Sequence, residues 1–325
     1  MVRVAYGTLD AWNALSASEQ AYYDGGHYLL LLSAITAYPG ALASDDYSYY
    51  DISDTDNIQS VTMPTNTNGY SIKIIGNGYK YNTSCASRDI YINTGGYKIE
   101  IENINFVAQI DKTNSDRFIR VTATSGVLDL TISNCVFDMN NYICNAIFLS
   151  EYEGIVNVFC NVFKNRNIGT LFYIFRHLDP RETAFSNLEN NTFSDILGSE
   201  SIDVDSSFTG NCTLKNNNIV DSTACINGTY TDGGGNATSD TTGSVGYQSI
   251  VAADAMVDPA NGDFRPKKNG PLLVGYSSPL IADNKRYLEG GPILPVNSYS
   301  GAYGRIENVG AVTGKKRKNI IPNII

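Results

Sequence analysis

Between residues 101 and 220 the chain repeats one pattern of polar and apolar positions. Five short segments run through small or polar residues into one large apolar residue: IENINF (101–106), SNCVF (133–137), FCNVF (159–163), ENNTF (189–193) and KNNNI (215–219). Their last residues stand at 106, 137, 163, 193 and 219, giving steps of 31, 26, 30 and 26 residues. Stacked helical repeats keep their length, so a step that wanders points to a coil whose strands stay in register while its loops vary. One strand with a single inward row of Ile, Val or Phe buries too little alone and must stack that row on the next copy. The spacing predicts one interior column of Phe106, Phe137, Phe163, Phe193 and Ile219. Alternation of apolar and polar residues over 101–106 is strand-like. Asn tolerates left-handed backbone, so Asn before each apolar residue marks a corner, and stacked corners align Cys135, Asn161, Asn191 and Asn217.

Further strands are predicted at 127–132 (VLDLTI), 145–150 (NAIFLS), 170–175 (TLFYIF) and 201–205 (SIDVD). Asn77-Gly78 and Gly95-Gly96 suit turns, and the repeating mark after them favours coils over hairpins. Upstream, Thr8 is a plausible N-cap, and Ser16 with Glu19 forms a capping-box pattern, so 8–23 reads as two helical turns. HYLLLLSA after them reads as a buried strand. A short helix followed by such a strand suits a cap over the first rung, whose edge would otherwise be open; a small separate attachment domain is the alternative. After Val220 the run NGTYTDGGGNATSDTTGSVGYQ reads as a flexible excursion or boundary.

These rungs resemble the right-handed parallel β-helix, the pectin-lyase-like fold, across about residues 60–225. The segments DPANGDFRPKKNGPLLVGYSSPL and AYGRIENVGAVTG resemble the closing segment of many bacterial and phage β-helix proteins, through Asp263-Phe264-Arg265, Ser278-Pro279 and Val309-Gly310-Ala311. The fold class expected is therefore all-β: a right-handed parallel β-helix solenoid with a short N-terminal helical cap and an irregular C-terminal closing segment. Residues 1–60 would form the cap or attachment region, 61–226 the β-helix, and 227–325 the closing region and a docking tail. That fold carries polysaccharide lyases and hydrolases, phage tailspikes, virion components and bacterial surface proteins, so fold alone does not choose a function.

Composition narrows the choice. Abundant Gly (29) and Tyr (22) describe a β-rich chain full of turns. A net charge of −10 argues against nucleic acid as a partner. The start lacks the layout of a secretory signal, and the apolar run at 28–37 is too short to span a bilayer; no membrane partner is expected. The six cysteines, Cys85, Cys135, Cys144, Cys160, Cys212 and Cys225, read as free thiols of a chain folded in a reducing cytosol, with no zinc spacing among them.

Candidate chemistry is sparse. The WxDH and RxPxxR runs of pectate lyases are absent, as is the GHG/RIK set of polygalacturonases. Asp203 and Asp205, two apart on one strand, would place their carboxyls roughly 6–7 Å apart, near the spacing of an inverting glycosidase; the alternative is a solvated outer face. His177, with Arg176, Asp179 and Arg181, forms a dense polar cluster, expected in a loop. Asp45, Asp46, Asp51, Asp54 and Asp56 make an oxygen-rich stretch of the kind that holds calcium, of which Asp51, Asp54 and Asp56 are the best set, though no known calcium-loop spacing is matched. No cofactor is expected.

The last motif is GKKRKNIIPNII. Lys315, Lys316, Arg317 and Lys318 precede Ile320, Ile321, Ile324 and Ile325 on an otherwise acidic chain, an arrangement suited to docking on an acidic partner surface. Together with the resemblance, these features imply a bacteriophage virion structural protein without catalysis: a head decoration, head fibre or tail-associated solenoid. It would be made in the host cytoplasm, located in the virion, and assembled with other virion proteins and with itself, a trimer being favoured. The alternative is a glycan-binding or glycan-cleaving β-helix acting on a host surface glycan, at the bacterial surface or secreted.

Overall fold

The computed structural model describes residues 90–93, 95–96, 98–108, 117–123, 125–140, 145–164, 183–194, 201–204, 211–220, 224–259, 263–267 and 270–272, with the strand backbones alone at 5–6, 27–31, 61–62, 72–75, 80–83, 175–178, 200 and 273. The chain winds as a parallel β-solenoid with three faces. Sheet 1 has nine strands, in order Ala5–Tyr6, His27–Leu31, Ile72–Ile75, Lys98–Glu102, Val127–Ser133, Glu153–Phe159, Ala184–Glu189, Asn211–Lys215 and Thr231–Asp232. Sheet 2 has seven, from Lys80–Thr83 through Asn105–Ala108, Val136–Asp138, Val162–Lys164, Thr192–Phe193 and Asn218–Ile219 to Ala237–Thr238. Sheet 3 also has seven: Val61–Thr62, Ile90–Ile92, Arg117–Thr122, Asn145–Ser150, Phe175–Leu178, Glu200–Val204 and Ala224–Gly228. Each strand pairs in parallel with its equivalent one coil away, which excludes the hairpin alternative at Gly95-Gly96. Gly95 and Gly96 instead donate to Ser125 and Val127 of the next coil.

The predicted column is present. Phe106, Phe137, Phe163, Phe193 and Ile219 lie in register on sheet 2 and are wholly buried. Their rings stack with centroids 4.8, 4.8 and 4.5 Å apart and nearly parallel planes, the spacing that parallel strands impose. Such offset stacking adds modestly to the apolar burial of each ring.

At the corner into sheet 2 the IENINF alternation does not continue as one strand. Asn103 takes φ 55°, and the equivalent residues Asn134, Cys160, Asn190 and Asn216 take φ 52–55°. The residue after each turns inward, and three of these are asparagines that bond one another. Asn161 Nδ2 donates to Asn191 Oδ1 (3.1 Å), Asn191 Nδ2 to Asn217 Oδ1 (3.0 Å) and Asn217 Nδ2 to Asn236 Oδ1 (3.0 Å). Each Oδ1 also accepts the backbone N–H of the preceding rung, and each Nδ2 reaches a backbone carbonyl: Ile132 O, Val158 O, Leu188 O and Leu214 O in turn. Amides in a closed interior are therefore satisfied on both ends, the condition under which buried polar groups are tolerated.

Asn236 corrects the boundary expected after Val220. The Gly/Thr/Ser run is no excursion: Thr231–Asp232 and Ala237–Thr238 are the last strands of sheets 1 and 2, and the ladder continues through a shorter, 19-residue step. Gly235 (φ 73°) occupies the left-handed corner that Asn takes in earlier rungs. Gly154 is required for a different reason: at φ 108°, an added Cβ would lie 2.1 Å from Leu128 O of the neighbouring coil.

Beyond the last rung, the chain closes against the outside of sheet 2. Ala252–Ala255 forms a single helical turn, and Met256–Asp258 pairs antiparallel with Asp263–Pro266. Ala252, Ala255, Met256, Phe264 and Leu272 cluster with Val162, Val220 and Ala237, the outward neighbours of the stacked column. Asp263-Phe264-Arg265 is thus part of a hairpin laid on a flank, where the resemblance implied a terminating rung. Ser278-Pro279, Val309-Gly310-Ala311 and the helical turns expected at 8–23 lie outside the described residues. The strand expected after 8–23 is present at His27–Leu31 and continues sheet 1 between Ala5–Tyr6 and Ile72–Ile75.

Candidate functional site

The candidate residues with a described position fall on sheet 3. Its inward row carries Ile147, Ile202 and Ile226 in register. The alternate row reads Tyr91, Arg120, Phe148, Arg176, Asp203 and Asn227 across successive coils. Asp203 is only 6% exposed and accepts a hydrogen bond from Asn227 Nδ2 at 3.0 Å. It is therefore no solvated carboxylate, contrary to the simplest reading of the SIDVD strand, since the amide of the next coil and near-complete burial hold it. Asp205, its partner in the acid pair expected for an inverting mechanism, lies outside the described residues.

His177 corrects a second expectation. It belongs to the strand Phe175–Leu178, in register between Leu149 and Val204, whose side chains are wholly buried. The sequence places His177 in a loop after a strand at 170–175; parallel register with Asn145–Ser150 and Glu200–Val204 holds it in a strand instead, and 170–174 lie outside the described residues. Asp179 and Arg181 lie outside the described residues. So do Asp45, Asp46, Asp51, Asp54 and Asp56, and the tail residues Lys315, Lys316, Arg317, Lys318, Ile320, Ile321, Ile324 and Ile325. Among the described residues, no three His, Cys, Asp or Glu side chains gather in a metal-sized group.

Two arginine–aromatic contacts on sheet 3 escaped the sequence reading. The Arg117 guanidinium lies 3.6 Å from the centre of the Phe148 ring, and that of Arg120 lies 4.1 Å from Tyr91, distances at which the ring quadrupole attracts the cation. Their only signal is a cation and an aromatic residue about one coil apart, visible once the register is known.

Cys135, Cys160, Cys212 and Cys225 are free and buried, as expected of core thiols; Cys85 and Cys144 lie outside the described residues. Burial pushes the thiols of Cys135 and Cys212 up to about 12 and that of Cys225 to about 11, which removes them from thiolate chemistry at neutral pH.

The closing loop holds two carboxylates that sequence reading passed over. Asp232 Oδ1 accepts from Gly234 N, Asn236 Nδ2 and Ser244 Oγ, and Ser244 Oγ in turn accepts from Asn236 N. The Asn ladder thereby ends on a charged acceptor. Asp240 accepts from Cys225 N and from Thr242 N and Oγ1. Burial works against its ionisation, yet these hydrogen bonds outweigh it and hold the carboxyl below its usual range.

The outer face of sheet 1 differs from both. Val127, Ile155 and Phe185 are 62%, 43% and 42% exposed, and Ile155 and Phe185 are direct cross-strand partners. Beside them Asn187 Nδ2 donates to Asn157 Oδ1 at 3.0 Å. Asp129 is in register with Ile155, and Glu153 with Val127. This face thus sets exposed apolar side chains beside two carboxylates. No protein-family model, no curated protein and no solved structure matches this chain.

Proposed function

We propose that this chain is a structural component of a bacteriophage virion, a pectin-lyase-like β-helix that acts as a stiff rod and assembles through its surface without catalysing a reaction. The observation that carries this reading is the interior: successive rungs direct their Phe and Asn side chains at one another, in stacked rings and in an amide ladder satisfied on both sides. Such order along one axis gives rigidity and length, and the sequence likeness of the closing segment to phage β-helix proteins supplies the setting. The acidic surface and the cationic, isoleucine-rich 315–325 segment suit contacts between subunits or with other virion proteins.

Mass spectrometry of purified particles is the test. The protein should appear in a fixed copy number per particle; its absence from particles would remove the reading. In parallel, incubation with pectin, alginate and host capsule should yield no new reducing ends or unsaturated sugars. Turnover abolished by Asp203→Asn would instead establish the glycan-cleaving alternative.

A further inference from the structure

We infer that the outer face of sheet 1, centred on Val127, Ile155 and Phe185, is the surface that receives residues 315–325 of a second copy of this chain. The inference rests on the reading above that the chain assembles by docking, and adds where the segment lands.

Apolar exposure alone does not select an occupant; the surrounding charge does. Ile155 and Phe185 stand side by side on neighbouring strands, Asp129 is the partner of Ile155 on the next strand along, and Glu153 is the partner of Val127. Two carboxylates thus border the apolar row at one end. Lys98, in register with Asp129, is drawn to its own neighbour Glu100 at 2.9 Å; among the described residues Glu102 lies further along the same side of the sheet, and the cation Lys215 stands on the far side, beyond Phe185. The matching ligand is a short segment with cations first and large aliphatic residues just after. In a chain of net charge −10, residues 315–318 are four consecutive cations, followed by Ile320 and Ile321.

The spacing agrees. An extended segment advances about 3.3 Å per residue, while neighbouring strands are about 4.8 Å apart. With Lys318 at Asp129, Ile320 projects from the same side of an extended segment and lies roughly 7 Å on, over Ile155 and towards Phe185, while Ile321 faces away. Desolvating these side chains supplies the attraction, and the carboxylates set the direction in which the segment lies.

Zero-length carbodiimide cross-linking of the full chain tests this, using an equal mixture of ¹⁵N-labelled and unlabelled protein. The expected products join Lys315, Lys316 or Lys318 to Asp129 or Glu153, with mixed labels. The Ile155→Ser/Phe185→Ser double variant should retain the native far-ultraviolet spectrum and lower their yield about tenfold, the factor that corresponds to 1.4 kcal/mol. Val127→Ser gives a second, milder lesion if the double variant misfolds. Products joining the segment to other carboxylates, an absence of mixed-label products, or a yield untouched by the serine variants would each overturn the inference. Particle mass spectrometry is independent of this result: a chain present in particles but cross-linked elsewhere loses the receiving surface and keeps the proposed function.

Discussion

Two asparagine pairs in this solenoid have the same donor, the same acceptor and nearly the same length, yet differ in what they do. Inside, Asn161 Nδ2 meets Asn191 Oδ1 at 3.1 Å with both residues fully buried. Outside, on the face of sheet 1, Asn187 Nδ2 meets Asn157 Oδ1 at 3.0 Å with both residues half-buried. An exposed amide that loses its partner finds water, whereas a buried one loses its solvation as well. Identical geometry therefore marks a structural element in one place and an adaptable surface in the other.

The largest effect should come from the interior column beside that ladder. Phe163 is stacked on both sides, by Phe137 at 4.8 Å and Phe193 at 4.5 Å. Phe163→Ala should lower stability by about 3–5 kcal/mol through the cavity it leaves. Phe185→Ala on the outer face should change it by less than about 0.5 kcal/mol. Chemical denaturation of both variants checks the pair, and equal losses would mean that the exposed face is itself part of the fold's core.

Next comes the ladder itself. Asn191 accepts from the backbone and side chain of Asn161 and donates to Val158 O and Asn217 Oδ1. Asn191→Leu keeps the branching and heavy-atom count and leaves those partners unmet, so about 2–4 kcal/mol should be lost, more than the net worth of any single hydrogen bond. Asn187→Ala should cost less than about 1 kcal/mol.

Acid should separate the ladder from the loop that ends it. Asp240 has its carboxyl held below the usual range by hydrogen bonds that outweigh burial, and Asp263 is held low first by the hydrogen bond from Arg265. A depressed folded pKa contributes stability that is fully present above the unfolded value, near 3.8, and is lost as pH falls through the folded value. Below about pH 4 the described residues of 239–272 should therefore gain amide exchange before the rungs do, because the Asn161–Asn191–Asn217 chain has no titrating group. Hydrogen exchange between pH 5 and 2 reads this, and Asp240→Asn should flatten the response of the loop while leaving the rungs unchanged.

How much was legible follows the same division. The column from Phe106 to Ile219 and the corner asparagines repeat because every rung solves one packing problem with one residue type, and repetition makes a pattern visible without any structure. Asn236 solves it too, but its rung is 19 residues after the last and its short strands, Thr231–Asp232 and Ala237–Thr238, contain little to bury, so the run read as loop. The strand at His177 was missed because it is held by register with neighbouring coils, a non-local constraint that the local polar run 176–181 does not show. The candidate site was the least legible. Asp203 was visible as one of a spaced acid pair, but its burial and its Asn227 partner arise from the next coil, and no spacing within one strand encodes them.

The smallest expected effect tests whether that repetition is understood. Cys135 stands one rung before Asn161, at the ladder position, and its backbone N–H already donates to Asn161 Oδ1 at 2.9 Å. Its Sγ donates to Ser133 O at 3.3 Å and lies 3.9 Å from Ile101 O. Ile101 O is the equivalent, one coil earlier, of the Ile132 O that Asn161 Nδ2 reaches. Sulfur is a poor donor and acceptor, so the thiol meets only weakly the carbonyl that later rungs meet with an amide. Cys135→Asn should extend the ladder by one rung and leave stability unchanged or raised by up to about 1 kcal/mol, the net value of a well-formed hydrogen bond. Burying a new amide anywhere else in this core should destabilise it. A loss of more than about 2 kcal/mol, on the scale of a buried amide without partners, would show that the ladder cannot be extended at Cys135 and that its register is not set by the coil alone.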